Sequence, residues 1–194
     1  MGFFAWHTPM GGPLTDAEIA DFMASQSEGG GDAWTNEKAF EDFLRNDDGR
    51  SFVMINLMEF RETAVYADGH LSGADLTGEE AAGLYAQSVL PQLLTRGSYP
   101  VARATRHNTI INSVGERAGE FESFAMVRYR SRRDLINMLS SEEFHAAKVH
   151  KWASLENTLV APSSYAVSFN VIGYLPYFIA AFVLGLLTQR YFRI

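Results

Sequence analysis

The apolar pattern is most continuous towards the C-terminal end of the chain. No charged side chain occurs between Asn157 and Gln189, and Arg190 and Arg193 follow directly. A helix that crosses the hydrocarbon core of a bilayer needs about 20 mostly apolar residues, and residues 168–189 provide that length. We therefore predict a transmembrane helix here. The alternative is a C-terminal helix buried in a soluble oligomer.

Two further features refine this prediction. Ala181 and Gly185 are small residues four positions apart, so they would share one helix face and let another membrane helix approach closely. The first residues of the chain lack both a basic segment and a long apolar segment, which argues against a secretory signal. We therefore expect a single-pass C-terminal anchor with most of the chain in the cytoplasm. Arg190 and Arg193 favour the opposite orientation by the positive-inside rule.

The residues before this segment alternate between helical and strand patterns. Apolar residues at helical spacing predict helices that begin near Thr15 and Ser141 and cover residues 35–46, 79–96 and 131–139. Period-two patterns predict strands over residues 51–60, 99–105, 109–114 and 121–130. The chain then divides into an acidic helical extension (1–49), an α+β domain (50–164) and the membrane anchor (165–194).

The strand over residues 51–60 has apolar side chains on both faces. Val53, Ile55 and Leu57 lie on one face, and Met54 and Met58 lie on the other. A strand of this kind is typical of a sheet that is covered on both sides. We therefore expect this strand to lie in the interior of the fold.

Composition narrows the functional classes only a little. The chain has no cysteine, which excludes disulfides, a thiolate nucleophile and a cysteine-based metal site. The net charge is −7, and the basic residues are too few for a nucleic-acid-binding footprint. His70 lies beside Asp68 and Asp75, but turn composition explains that group more simply than a metal site does. We expect no metal and no cofactor.

Four segments carry a resemblance to a known family. They are residues 52–61 (FVMINLMEFR), 90–97 (LPQLLTRG), 122–132 (ESFAMVRYRSR) and 138–145 (MLSSEEFH). Together they resemble a domain-of-unknown-function family of the dimeric α/β-barrel superfamily. The chain departs from the family pattern at Arg130 and Glu142, where prolines recur, and at Phe144, where a tyrosine recurs.

The resemblance covers residues 50–161 and implies a ferredoxin-like fold. Its sheet would have four antiparallel strands with helices on one face, and two such sheets would pair face to face into a barrel. Relatives in the wider superfamily include monooxygenases, isomerases and haem-binding enzymes, whereas others only bind or scaffold. A fold alone does not identify a reaction.

Candidate ligand-binding residues are polar residues on otherwise apolar strand faces. Asn56 lies between Met54 and Met58, and Arg128 follows Phe124 and Met126. Buried polar groups need partners, and a buried arginine needs an acid or an anionic ligand. With these two, the following residues could line a small-molecule pocket: Arg61, Tyr85 and His145.

The structural alternative is that Arg128 pairs with Glu59 or Glu122 while Asn56 holds a loop in place. His145 or His150 could serve a haem by position. Trp152 and Tyr129 are expected to be core residues. No catalytic constellation emerges from the spacing of the chain.

We therefore expect a membrane-anchored, non-catalytic accessory or assembly subunit of a membrane protein complex. Its partners would be membrane lipid, other membrane-protein subunits that contact the C-terminal helix, and a second copy or a related barrel; nucleic acid is not expected. The alternatives are a small-molecule enzyme of monooxygenase or isomerase type with a pocket in the barrel, and a haem-binding barrel.

Overall fold

The computed structural model describes residues 3–28, 35–67, 69, 75–107, 110–111, 120–165 and 175–191. The chain forms two compact units, Met1–Ser163 and Ser164–Ile194. The first unit contains the helices α1 (Phe3–His7), α2 (Asp16–Glu28), α3 (Glu37–Arg45), α4 (Gly78–Thr95), α5 (Arg132–Leu139) and α6 (Glu142–Ser154) and the strands β1 (Phe52–Phe60), β2 (Tyr99–Thr105), β3 (Ser123–Tyr129) and β4 (Leu155–Ser163). The second contains the helix α7 (Leu175–Tyr191).

The four strands form one antiparallel sheet in the order β2-β3-β1-β4. The register places Asn56 of β1 opposite Ala125 of β3 and Val160 of β4. Strand β1 is therefore central, as its two apolar faces predict. The expected α+β class with a four-stranded antiparallel sheet is confirmed.

One strand was not predicted from the periodicity. Strand β4 begins at Leu155 with no residue between it and α6, so the apolar stripe of the helix hides the start of the strand. The predicted strand over residues 109–114 falls almost wholly outside the described residues; Ile110 and Ile111 are described and do not belong to a strand.

Helix starts follow the local capping signals in the sequence. Thr77 and Glu80 form a reciprocal capping box at the start of α4. Ser131 and Ser141 accept backbone hydrogen bonds at the starts of α5 and α6. At the other end of α4, Gly97 takes φ +68°, the left-handed conformation that lets the chain turn into β2.

The main core lies between one face of the sheet and the helices α4, α5 and α6. Its buried members are Phe52, Val89, Leu93, Tyr129, Leu135, Met138 and Ala147. A second buried cluster joins the N-terminal helices to α5, and its members are Ile19, Phe22, Leu44 and Ile136. Helices α2 and α3 therefore pack onto the sheet domain within the same compact unit.

Helix α7 is apolar around its whole circumference. Tyr177, Phe178 and Phe182 expose 67–74% of their surface, and the following residues are also exposed: Ile179, Val183, Leu184, Leu186 and Leu187. In the part of the chain that the structure describes, no helix has both the length and the apolar character required to cross a membrane. Residues 168–174, the first part of the predicted span, lie outside that part.

Candidate functional site

A cavity of about 670 Å³ lies between the sheet and the helices of the first unit. Its floor is the face of the sheet that carries Met54, Asn56 and Val127, and its walls come from helices α2 to α6. Ligand pockets in proteins commonly have volumes of about 300–1,000 Å³ and mostly apolar linings. The cavity therefore has the size of a site for a small organic molecule.

The cavity exists because small side chains occupy both of its walls. Helix α4 contributes Ala82 and Ala86, while the strands contribute Ala102 and Ala125. Larger side chains at these positions would fill the space, as they do in the neighbouring core around Phe52. The sequence thus leaves a gap in an otherwise close-packed layer.

The N-terminal helices form one side of this cavity. Met23 of α2 and Phe40 and Phe43 of α3 all line it. Phe43 packs edge-on against Phe52 with ring centroids 5.1 Å apart, which attaches α3 to the sheet. The extension is therefore part of the site, a role that its acidic, polar sequence did not indicate.

Two tyrosines bring hydroxyl groups to the cavity. Tyr85 of α4 and Tyr129 of β3 both line it, and no hydrogen bond to either hydroxyl occurs within the described residues. Burial raises the pKa of the Tyr85 phenol well above its ordinary value. Burial, and secondarily the nearby Tyr85, raises the pKa of the Tyr129 phenol. Both groups therefore stay neutral at ordinary pH.

Charged side chains of both signs line the cavity, among them Glu37, Glu156, Arg103 and two lysines of α6. His145, Lys148 and Lys151 all face the cavity, as does Trp152. The Lys151 ammonium lies 5.0 Å from the Trp152 ring centroid and 5.9 Å from the Tyr85 ring centroid. These distances are typical of cation–π contacts, so the ammonium group is held beside the aromatic wall. The Trp152 indole nitrogen is buried, and none of the residues that the structure describes forms a hydrogen bond with it.

The structure brings together three of the five predicted pocket residues. Asn56, Tyr85 and His145 line the cavity. The Asn56 amide nitrogen also donates a hydrogen bond of 3.3 Å to the carbonyl oxygen of Met54. Of the residues expected to be core, Tyr129 and Trp152 line the same cavity.

The other two predicted pocket residues, Arg61 and Arg128, do not line the cavity. Arg61 forms an ion pair of 2.6 Å with Glu156. Arg128 is buried, and its two terminal nitrogens donate to the backbone oxygens of Gly97, at 3.2 Å, and His7, at 2.9 Å. Its guanidinium also lies 5.4 Å from the ring centroid of Tyr99. Arg128 thus holds the short helix α1 against the opposite face of the sheet.

The carboxylates that were the expected partners of Arg128 bind backbone groups. Glu59 accepts a hydrogen bond from the amide of Glu120, and Glu122 accepts one from the amide of Phe60. Within the described residues, no group of three or more histidine, cysteine, aspartate or glutamate side chains could hold a metal ion. His70 and Asp68, the histidine–carboxylate group considered from the sequence, lie outside the described residues.

The chain is similar to two solved structures of one protein. RPA0582, a protein of unknown function from Rhodopseudomonas palustris, matches with a TM-score of 0.59 and 20% sequence identity over 69% of this chain and 96% of the other. The structure of its methylated form gives a TM-score of 0.60 and 20% identity over 70% and 96%. This similarity shows a shared fold and nothing more. No model of a protein family matches the chain, and no curated protein matches it.

Proposed function

We propose that this protein binds a small, mostly apolar molecule in the cavity between the sheet and helices α4 and α6. The observation that carries the proposal is the 670 Å³ cavity, because its volume lies within the range of about 300–1,000 Å³ that ligand sites have and its lining is mostly apolar. Apolar walls with a few convergent polar groups are typical of ligand sites.

A cavity-filling variant tests this proposal. Ala82 lines the cavity on α4, whereas Ser88 is exposed on the same helix. We expect Ala82→Phe to weaken binding of 2-ethylnaphthalene by about tenfold or more, since the added ring occupies the site. Ser88→Phe is the matched control and should bind like the original chain. Isothermal titration calorimetry on the full chain in lipid nanodiscs, with empty nanodiscs as the blank, measures both. Equal binding by the two variants would refute the proposal.

A second function is favoured by helix α7. We propose that this helix attaches the chain to a bilayer and that the protein is an accessory subunit of a membrane assembly. The support is the exposure of apolar side chains on every side of the helix, since a helix that is apolar all round needs an apolar environment. Ala181 and Gly185 remain the candidates for packing against a second membrane helix.

Membrane fractionation tests the attachment. We expect the full chain to resist alkaline carbonate extraction. The double variant Phe182→Glu and Leu184→Glu should be released, because each acidic residue costs about 2.5–3.5 kcal/mol at the centre of a spanning helix. Val65→Glu, an exposed position in the first unit, should stay in the membrane fraction. Release of the original chain would contradict the proposal.

We also propose a ferredoxin-like arrangement in which the sheet face opposite the cavity, beside the part that α1 contacts, pairs with the same face of a second copy. Ile55, Leu57 and Met126 are half-buried on this face, and Phe124 and Leu159 expose 38% and 43% of their surface. A second sheet would remove these side chains from water. Analytical ultracentrifugation should show a dimer that Phe124→Glu dissociates; an unchanged mass for that variant would count against the pairing.

A further inference from the structure

The two cavity tyrosines indicate the chemistry of the ligand, and this inference rests on the function proposed above. Tyr85 and Tyr129 come from different elements, α4 and β3, yet both line one cavity and both lack a hydrogen-bond partner within the described residues. Tyr129 exposes only 9% of its surface. Neither hydroxyl oxygen is sealed from solvent, so each phenol can donate a hydrogen bond to a molecule that enters the cavity.

A neutral phenol in this position can donate a hydrogen bond to a ligand in the cavity. The hydroxyls hold their protons, so an oxygen that only accepts hydrogen bonds would satisfy the phenols. Charged groups of both signs line the cavity, with Glu37 and Glu156 beside Lys148 and Lys151, so the charge of the ligand is decided by the experiment below.

Most of the remaining lining is apolar. Met54, Met58 and Val127 form the floor of the cavity, and Phe144 and Leu139 contribute to its helical wall. Polar side chains such as Asn56 and Thr158 lie between them. A lining of this kind suits a ligand with an aromatic or aliphatic body and few polar groups.

We propose that the ligand is an apolar carbonyl or carboxylate compound whose oxygen accepts hydrogen bonds from the hydroxyl groups of Tyr85 and Tyr129. The two phenol groups recognise the oxygen of the ligand, and the apolar side chains of the floor and wall contact its hydrocarbon part. The carbonyl and the carboxylate share this acceptor chemistry, and the experiment separates them.

The test compares ligands of nearly equal shape. 2-Acetylnaphthalene carries a carbonyl oxygen that 2-ethylnaphthalene lacks. We expect the original chain to bind the ketone about three- to tenfold more tightly than the hydrocarbon, which is the range that one or two net hydrogen bonds give. The preference should fall in Tyr85→Phe and in Tyr129→Phe and vanish in the double variant. The affinity ratio is the readout, so a general loss of stability does not imitate the result.

Tyr66 provides the matched control. Its hydroxyl is hydrogen-bonded to His150 at 2.8 Å, away from the residues that line the cavity, so Tyr66→Phe should keep the preference for the ketone. A third ligand, 2-naphthoate, tests whether the lysines contribute to recognition. Tighter binding of 2-naphthoate than of the ketone would identify the ligand as a carboxylate. Weaker binding would identify it as a neutral carbonyl compound.

The outcomes separate this proposal from the one on which it rests. Equal affinity for ketone and hydrocarbon in the original chain would overturn the role of the tyrosines and leave the cavity as a hydrocarbon site. A preference that survives in the double variant would overturn that role as well. Failure of all three ligands to bind would overturn the cavity function itself.

Discussion

Replacing Leu44 with alanine tests whether the N-terminal helices are part of the folded domain. Leu44 is completely buried and packs with Ile19, Phe22 and Ile136. The change removes about three buried carbon groups, worth about 0.8 kcal/mol each on transfer to water. The space left behind adds to this cost, and buried leucine-to-alanine changes typically lose about 2–5 kcal/mol.

We therefore expect the free energy of unfolding to fall by about 3 kcal/mol, a large share of the 5–15 kcal/mol that stabilises a typical domain. Urea unfolding of the full chain, followed by circular dichroism, measures the change. Leu94→Ala is the matched control, because Leu94 also lies on a helix but exposes 42% of its surface. Its expected cost is about 1 kcal/mol or less.

Helix α3 also carries Phe40 and Phe43, which line the cavity. The Leu44 variant should therefore bind an apolar ligand more weakly at temperatures where it is still folded. A loss of less than 1 kcal/mol, equal to that of Leu94→Ala, would refute the packing described here. It would mean that α2 and α3 do not close one side of the cavity.

Three further changes test local features of the fold. Arg133, by hydrogen bonding, and then the amide of Thr15 lower the pKa of Glu18 from 4.5 to about 2, so this contact stabilises the fold above pH 4.5 and its contribution disappears as the pH falls towards 2. Glu18→Gln should cost about 1 kcal/mol at pH 7, a value reduced for the exposure of the pair, and acid titration of unfolding should show a smaller loss for the variant between pH 4.5 and pH 2. Gly97→Ala should cost about 2 kcal/mol or more in thermal unfolding, because the residue has positive φ and the new methyl group would overlap the carbonyl oxygen of Trp6. Ser131→Ala should cost about 1 kcal/mol in urea unfolding, because α5 loses its N-cap.

The sheet was predictable from the chain because its signals are local. The apolar pattern of β1 and the capping residues Ser131 and Ser141 depend on near neighbours in sequence, and the structure has them where they were expected. Strand β4 escaped prediction because Leu155 continues the apolar stripe of α6 directly into the strand. Periodicity cannot separate two elements that share a boundary residue.

The cavity was only partly predictable from the sequence, because the placement of several helices and strands defines an empty space and no single residue marks it. Asn56 and Tyr85 were found as polar or aromatic residues in apolar surroundings, and both line it. Tyr129 looked like a core residue because sequence does not reveal whether a hydroxyl group has a partner. The alanines that create the space, such as Ala82 and Ala125, are recognisable only when α4 and β3 are placed opposite each other.

Arg128 shows how an arginine on an apolar strand can be satisfied without an acid or an anion. Its guanidinium binds the carbonyl oxygens of Gly97 and His7, at the ends of α4 and α1. The last carbonyls of a helix have no partner inside the helix and carry partial negative charge. Backbone carbonyls and the Tyr99 ring therefore take the place of the carboxylate that was expected as the partner of Arg128.

Strand β1 contributes to both the ligand-binding cavity and the surface proposed to pair with a second copy, because its side chains alternate between the two faces of the sheet. Met54 and Asn56 face the cavity, and Ile55 and Leu57 therefore face the other side of the sheet. A polar substitution at Leu57 should change pairing with a second copy and leave the cavity lining intact. Replacing Asn56 should change ligand binding and leave the pairing surface intact. If the two positions instead affect both properties together, ligand binding and assembly are coupled through the sheet.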